Sequence, residues 1–135
     1  MGYAGSVLER KLLLVEDEKL SRELISRFLT NSGFIVESCG TALEAVELSE
    51  TFDPDAMVVD ISLGEGPSGI DLINATRNAY PHMAFVVLSN YEALPHSISE
   101  YQTVAYLRKS EVSNPELLIE AVEQVLRDAD TSETF

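Results

Sequence analysis

The chain has 135 residues, of which 45% are hydrophobic and 24% charged, a balance typical of one globular domain. Nine basic residues against 23 acidic ones give a formal net charge of −14. This argues against direct binding to nucleic acid or to an anionic membrane, since both need clustered Lys and Arg. The single cysteine, Cys39, excludes an internal disulfide and favours a buried thiol in a reducing compartment. With no signal peptide and no apolar run near the roughly 20 residues of a membrane span, we expect a cytoplasmic protein.

The first half of the chain predicts two strand–helix units. Residues 11–15 are a short apolar run, typical of a strand buried on both faces. An amphipathic helix follows from Lys19 and ends over 31–33. Residues 34–39 predict a second strand, after which Thr41 and Glu44 form a capping box for a helix to about residue 50. The apolar stripe predicted for the first helix consists of Leu20, Leu24, Ile25, Phe28 and Leu29.

The second half predicts three further strands. The third covers 55–59 and is ended by Asp60, and Ser68 then caps a helix to about residue 80. The fourth strand covers 84–89, and a short helix is expected over about 93–101. The fifth strand covers 104–108, and Asn114 with Pro115 opens the last helix, which we expect to end near residue 127. Residues 128–135 are interpreted as a frayed polar tail.

Five strands that alternate with helices predict an α/β fold, a doubly wound parallel sheet covered on both faces. Ligands of such sheets bind beyond the carboxyl ends of the strands. The second strand ends in Cys39, which suits a position at the edge of the sheet. The other four strands deliver polar groups to the same end: Glu16 and Asp17 after the first, Asp60 after the third, Ser89 after the fourth and Lys109 after the fifth.

This combination has a chemical interpretation. Three carboxylates that converge repel one another, which raises their pKa values or requires a cation. Mg2+ suits such a set, because it accepts one or two carboxylates and keeps its other positions for water or phosphate oxygens. A lysine and a hydroxyl group opposite would bind an anion. The pattern therefore indicates a site where a carboxylate attacks phosphorus.

The same positions resemble the receiver domain of two-component response regulators, over about residues 10–127. That family has an acidic pair after the first strand and a phospho-accepting Asp after the third. It has a Ser or Thr after the fourth strand, a Lys after the fifth and an aromatic residue three positions before that Lys. The corresponding residues here are Glu16, Asp17, Asp60, Ser89, Lys109 and Tyr106. The resemblance implies a flavodoxin-like (βα)5 sandwich with sheet order 2-1-3-4-5, and leaves residues 1–9 as an N-terminal extension or expression-vector residues.

The resemblance also implies a role for each residue. Asp60 is the expected phospho-acceptor. Asp17 and Asp60 are expected to bind Mg2+ directly, and Glu16 through a water molecule. The backbone carbonyl of Ser62 is expected to supply another ligand. Mn2+ could take the place of Mg2+. The groups expected to bind the phosphoryl group or to switch with it are Ser89, Lys109 and Tyr106, the last by turning inward. The residues expected to tune dephosphorylation are Asn90, Tyr91 and Ser62.

The implied function is a phosphorylation-controlled switch in a phosphorelay. Its donor would be a sensor histidine kinase or a phosphotransfer protein. Its output would pass through the face made by the fourth predicted helix, the fifth strand and the fifth predicted helix. This face would act on a downstream protein or on an output domain outside the chain. The domain is not expected to be an enzyme beyond catalysing its own phosphorylation and dephosphorylation.

Three departures from the family pattern stand out. Ser110 follows Lys109 where Pro is usual, and a non-proline cis bond costs about 2.5–4 kcal/mol, so a trans bond is expected. Gly69 lies nine residues after Asp60 rather than eight, which makes the intervening loop one residue longer. Asn90 follows Ser89 where Ala or Gly is common.

Other functions remain open at this point. A receiver-like module that signals without phosphate is one alternative. A phosphohydrolase with an aspartyl nucleophile is less favoured, because such enzymes carry Asp-x-Asp and Ser62 occupies the second position. A flavin-binding domain is disfavoured by acids where a phosphate-binding loop is needed. His82 and His96 are interpreted as surface residues.

Overall fold

The computed structural model describes residues 10–63, 66–90 and 103–133, with side chains as far as residue 130. The strands are β1 (Lys11–Val15), β2 (Ile35–Cys39), β3 (Ala56–Asp60), β4 (Ala84–Ser89) and β5 (Val104–Arg108). The helices are α1 (Lys19–Asn31), α2 (Ala42–Phe52), α3 (Gly69–Ala79) and α4 (Pro115–Glu133), and a short 3-10 turn covers Lys109–Glu111. All five strands are parallel, in the order β2-β1-β3-β4-β5. The predicted doubly wound α/β fold and its strand order are therefore confirmed.

The sheet is covered on both faces because its strands carry apolar side chains on both. Every residue of β3 and β4 is buried. Along β1, Leu12 and Leu14 pack with helices α1 and α4, whereas Leu13 and Val15 pack with α2 and α3. Each such aliphatic side chain contributes about 1.5–3 kcal/mol when fully buried. These two cores fix the sheet rigidly and so fix the positions of the strand ends.

The helix starts carry N-caps at the predicted residues, but the capping box predicted for Thr41 and Glu44 is only half formed, because Glu44 Oε1 accepts from Gly40 N instead. Thr41 Oγ1 accepts a hydrogen bond from Glu44 N at 3.2 Å. The Ser68 hydroxyl accepts from Asp71 N, and Asp71 Oδ2 accepts from Ser68 N, each at 3.1 Å, which makes a complete capping box. Asn114 Oδ1 accepts from the first turn of α4, from Glu116 N at 3.1 Å.

Two helical details differ from the expectation. The buried stripe of α1 is narrower than predicted, because Leu20 and Leu24 remain 76% and 41% exposed while Ile25 and Leu29 are buried. Helix α2 continues to Phe52, and α4 continues to Glu133 rather than ending near residue 127. Ala129 is buried against the sheet, so packing extends α4 through residues interpreted as a frayed tail. The prediction for residues 128–133 was therefore wrong.

Several smaller predictions are also resolved. The Lys109–Ser110 bond is trans, like every described peptide bond, and Cys39 is buried at the end of the edge strand β2. Burial first, and then the charge of Glu44, raises the pKa of the Cys39 thiol to about 11. His82 is exposed.

Within the described ranges, no helix is long and apolar enough to cross a bilayer. The described residues do not include the predicted helix over 93–101, Tyr91, His96 or residues 1–9.

Candidate functional site

Three acidic side chains meet where β1 and β3 end. The two strands are neighbours, with Val15 beside Val59, so Glu16 and Asp17 emerge next to Asp60. One carboxylate oxygen from each of the three acids lies within 4.8 Å of the others. Glu16 and Asp60 are buried, and Asp17 is exposed. The predicted acidic cluster is therefore assembled, and it opens to solvent on the side of Asp17.

Lys109 brings a positive charge into the same cluster. Its Nζ lies 2.9 Å from Asp60 Oδ2 and 3.4 Å from Glu16 Oε1. Burial alone would lower the pKa of Lys109, but the hydrogen bond and charge of Asp60, together with Glu16, raise it above its ordinary value. The other oxygen of Asp60, Oδ1, accepts a hydrogen bond from Ser62 N at 2.9 Å. Asp60 is thus held in one orientation by contacts on both oxygens.

The surroundings of Glu16 disfavour the charged form of its carboxyl group. Its Oε2 accepts a hydrogen bond from Glu18 N at 3.1 Å, but its buried Oε1 has no hydrogen-bond partner within the described part of the chain. Burial, the charge of Asp60 and a hydrogen bond with Asp17 raise the pKa of the Glu16 carboxyl to about 7, against the opposing Glu18 amide and Lys109. A hard divalent cation would relieve this crowding, so the donor set fits the predicted Mg2+ site.

Gly69 supports Asp60 from the start of α3. Its N–H donates to Ile61 O at 3.0 Å. A Cβ atom at this position would lie only 2.3 Å from Asp60 O and 2.8 Å from the Cα of Ile61. Only glycine fits here, although the loop is one residue longer than in the family pattern.

The remaining predicted residues lie at the same end of the sheet or near it. Ser89 ends β4 and is fully buried, one position beyond Leu88, the β4 neighbour of Asp60. Tyr106 lies beside Val87 in the β4–β5 pair and is half-buried. Its hydroxyl is buried without a hydrogen-bond partner among the described residues. Asn90 and Ser62 are exposed.

One residue at this site was not identified from the sequence. Arg22, the fourth residue of α1, donates from Nη1 to the carbonyl oxygen of Glu16 at 2.7 Å and approaches that of Asp17 at 3.5 Å. Because both contacts are to backbone atoms, no spacing of residue types indicates them. Only the position of Arg22 in the turn after an acidic pair could have drawn attention to it.

Comparison with known proteins points to one family. The family model for the response regulator receiver domain matches residues 12–123. The transcriptional regulatory protein CusR of Escherichia coli K12 is 33% identical over 88 residues, which are 65% of this chain and 38% of CusR. The photosynthetic apparatus regulatory protein RegA of Cereibacter sphaeroides is 28% identical over 108 residues, 78% of this chain and 58% of RegA. The chain thus spans only part of the length of these curated relatives.

Solved structures resemble the whole fold. The N-terminal domain of a response regulator/sensory box/GGDEF 3-domain protein from Carboxydothermus hydrogenoformans has a TM-score of 0.80 and 31% identity, covering 91% of this chain and 98% of that one. A response regulator receiver domain protein (CheY-like) from Methanospirillum hungatei JF-1 has a TM-score of 0.79, covering 92% and 98%. Its identity is 23%, so this second likeness concerns the fold alone.

Proposed function

The chain belongs to the response regulator receiver domain family, and from this premise we propose that it accepts a phosphoryl group on Asp60 from a phosphohistidine. The donor would be a sensor histidine kinase or a phosphotransfer protein. The phosphorylated domain would then signal to a downstream protein or to an output domain. The family is one of signalling domains, and the proposed catalysis is limited to the domain's own phosphorylation and dephosphorylation.

The observation that carries the proposal is the setting of Asp60. The side chain is 1% exposed and lies at the end of a central strand. One oxygen is held by Lys109 at 2.9 Å, and the other by the Ser62 amide at 2.9 Å. Two further carboxylates lie within 4.8 Å. A structural ion pair has no need of that excess negative charge, whereas a site for a cation and a phosphoryl group uses all of it.

The proposed transfer is a nucleophilic displacement. An oxygen of Asp60 forms a bond to phosphorus while the bond between phosphorus and the donor imidazole nitrogen breaks, and the imidazole leaves with its bonding electrons. Lys109 offsets charge on the phosphoryl oxygens, and the Ser89 hydroxyl donates a hydrogen bond to one of them. The residues that would hold Mg2+ are Glu16, Asp17, Asp60 and the Ser62 carbonyl. The ion would supply neutralisation of charge on the transferring group.

The proposed switch uses Ser89 and Tyr106. Ser89 would move towards the phosphoryl group, and Tyr106 would turn inward into the space that this movement opens. The unpartnered hydroxyl of Tyr106 supports this idea, because no hydrogen bond within the described chain would be broken by the movement and a buried unpaired hydroxyl is costly. Phosphorylation would thus shift the population between two existing states.

The output of the complete protein is a separate matter. The relatives carry different names, among them a transcriptional regulatory protein and a cyclic di-GMP phosphodiesterase of Thermotoga maritima, of which this chain matches only 21%. We propose only that the receiver controls a downstream protein or an output domain. The cytoplasm, where phosphohistidine donors of this kind act, is the proposed location.

The test is phosphorylation by a small phosphodonor. Wild-type protein incubated with phosphoramidate and MgCl2 should gain the mass of one phosphoryl group, and should not when EDTA replaces MgCl2. Asp60→Asn should show no gain. Glu50→Gln, which changes an exposed acid on α2, is the matched control and should behave as wild type. An Asp60→Asn variant that is labelled as readily as wild type would falsify the proposal.

A further inference from the structure

Arg22 holds the backbone of the two residues that follow β1. Its Nη1 donates to Glu16 O at 2.7 Å and lies 3.5 Å from Asp17 O. Among the described residues, Arg22 makes no ion pair with a carboxylate, although acidic side chains surround the site. The guanidinium group therefore contacts the peptide groups of the acidic pair rather than their carboxylates.

Hydrogen bonds hold both the N–H and the carbonyl group of Glu16. Its N–H donates to Cys39 O at 3.0 Å, which extends the β1–β2 ladder by one residue. Its carbonyl accepts from Arg22. The next peptide group leads to Asp17, whose side chain completes the acidic cluster. Without Arg22, the peptide between Glu16 and Asp17 would lose the one charged donor that it has among the described residues. The peptide could then rotate, which would carry the Asp17 side chain away from Asp60.

The neighbouring loop is built to admit the guanidinium group. A Cβ atom at Gly40 would lie 3.2 Å from Arg22 Nη1, and 3.9 Å from both Asp17 Cα and Glu16 O. Gly40 itself is tied to the start of α2, because its N–H donates to Glu44 Oε1 at 3.3 Å. Arg22 thus lies where the loops after β1 and β2 meet, and both loops restrict its position.

We propose that Arg22 is a positioning residue for the cation site, which keeps the Glu16 and Asp17 carboxylates directed towards Asp60. The inference rests on the proposed function, because the cation concerned is the one that phosphorylation of Asp60 would use. It adds a residue that touches neither the cation nor the phosphoryl group and that acts through two carbonyl groups.

The charge of Arg22 and its positioning role predict opposite results. If only charge mattered, removing a cation near a Mg2+ site would strengthen Mg2+ binding, because like charges repel. If Arg22 positions the acidic pair, its removal weakens Mg2+ binding, as loss of a group that orients metal ligands commonly does by about tenfold or more. The sign of the change therefore separates the two explanations.

The experiment compares Arg22→Met with Arg27→Met by calorimetric titration with MgCl2, without any phosphodonor. Arg27 is on the same helix and is exposed, and its side chain makes no hydrogen bond or ion pair within the described residues. We expect roughly tenfold weaker Mg2+ binding in Arg22→Met and wild-type binding in Arg27→Met. Unchanged or tighter binding in a folded Arg22→Met protein would overturn it. If Arg22→Met does not fold, Gly40→Ala, which displaces Nη1, replaces it and must weaken binding in the same direction.

A second readout needs no metal. The Glu18 amide donates to Glu16 Oε2, so its hydrogen exchange in metal-free protein reports the order of the acidic pair. Exchange should be faster in Arg22→Met than in Arg27→Met, and equal rates would count against the proposal. Failure of the proposed function appears differently, as a wild-type protein that binds no Mg2+. In that case the exchange comparison still decides the role of Arg22.

Discussion

The two ends of the sheet both carry charged side chains, but they use them differently. At the end where the strands begin, Asp55 Oδ2 accepts from Lys11 N at 2.8 Å, and Lys11 Nζ donates to Phe52 O at 2.9 Å. Arg10 pairs with Asp130 across the surface. Each of these acids has a donor opposite it, so the charges at this end tie α2 and α4 to the sheet.

At the end where the strands finish, the three acids of the cluster share the positive charge of Lys109. Lys109 lies between Asp60 and Glu16, Asp17 adds a third carboxylate, and burial raises the pKa of Glu16 to about 7. Crowding buried carboxylates costs stability unless a cation or a proton compensates. Among the described residues, a cluster of three acids therefore occurs only at the end of the fold where ligands of doubly wound sheets bind.

The largest expected effect separates two lysines with similar contacts. Lys109 Nζ and Lys11 Nζ each donate to an oxygen at 2.9 Å, at opposite ends of the sheet. Lys109→Met should slow phosphorylation by phosphoramidate roughly 100-fold to 1000-fold, as removal of a charge-stabilising donor commonly does. Lys11→Met should leave that rate unchanged. Rates are measured from the time course of mass gain, and equal slowing in both variants would contradict the distinction.

The next effect concerns pH. The folded-state pKa of Glu16 is raised from 4.5 to about 7, so its ionisation is easier in the unfolded chain. Stability associated with Glu16 is therefore complete below pH 4.5 and is lost as the pH rises towards 7. In the absence of Mg2+, the unfolding free energy of Glu16→Gln relative to that of wild type should rise by about 3 kcal/mol between pH 4.5 and pH 7. Urea denaturation at several pH values measures this, and a constant difference would exclude the predicted shift.

A smaller effect tests how closely the start of α3 packs against the backbone of Asp60. Gly69→Ala would place Cβ 2.3 Å from Asp60 O. A Cβ at Gly66, in the same loop and with a φ of +75°, would have no atom of the described residues within 4 Å. We expect Gly69→Ala to cost about 2–3 kcal/mol through overpacking and to weaken Mg2+ binding. Gly66→Ala should cost about 1 kcal/mol through its backbone conformation alone. Equal losses of Mg2+ affinity in the two variants would show that Gly69 has no special relation to Asp60.

Much of the fold was predictable because buried strands have clear limits. The bounds of β1, β4 and β5 match the apolar runs, since polar or charged residues end each run. Helix ends were less predictable: α4 continues to Glu133 because Ala129 packs on the sheet, and a polar sequence alone does not end a helix. The exposure of Leu20 has a similar origin, since helical spacing shows which side is apolar but not how wide a stripe the sheet covers.

The site was predictable where its residues come directly after, or at the end of, a strand in the sequence. Glu16, Asp17, Asp60 and Lys109 could be assigned because parallel strands bring their carboxyl ends together. The contact of Arg22 with two backbone carbonyls could not, because it depends on the path of a loop. The predicted consequence of Ser110 was limited to a trans bond, and the 3-10 turn that follows β5 depends on Glu111 Oε1, which accepts from Arg108 N at 3.0 Å.

The most direct measurement of the central claim is the position of the phosphoryl group. Wild-type protein would be phosphorylated with phosphoramidate and MgCl2, reduced with borohydride to convert the aspartyl phosphate to homoserine, digested and sequenced by tandem mass spectrometry. We expect conversion at Asp60 and at no other acid, including Glu16 and Asp17 beside it. Conversion at another residue, or an unmodified Asp60 in protein that has gained mass, would contradict it.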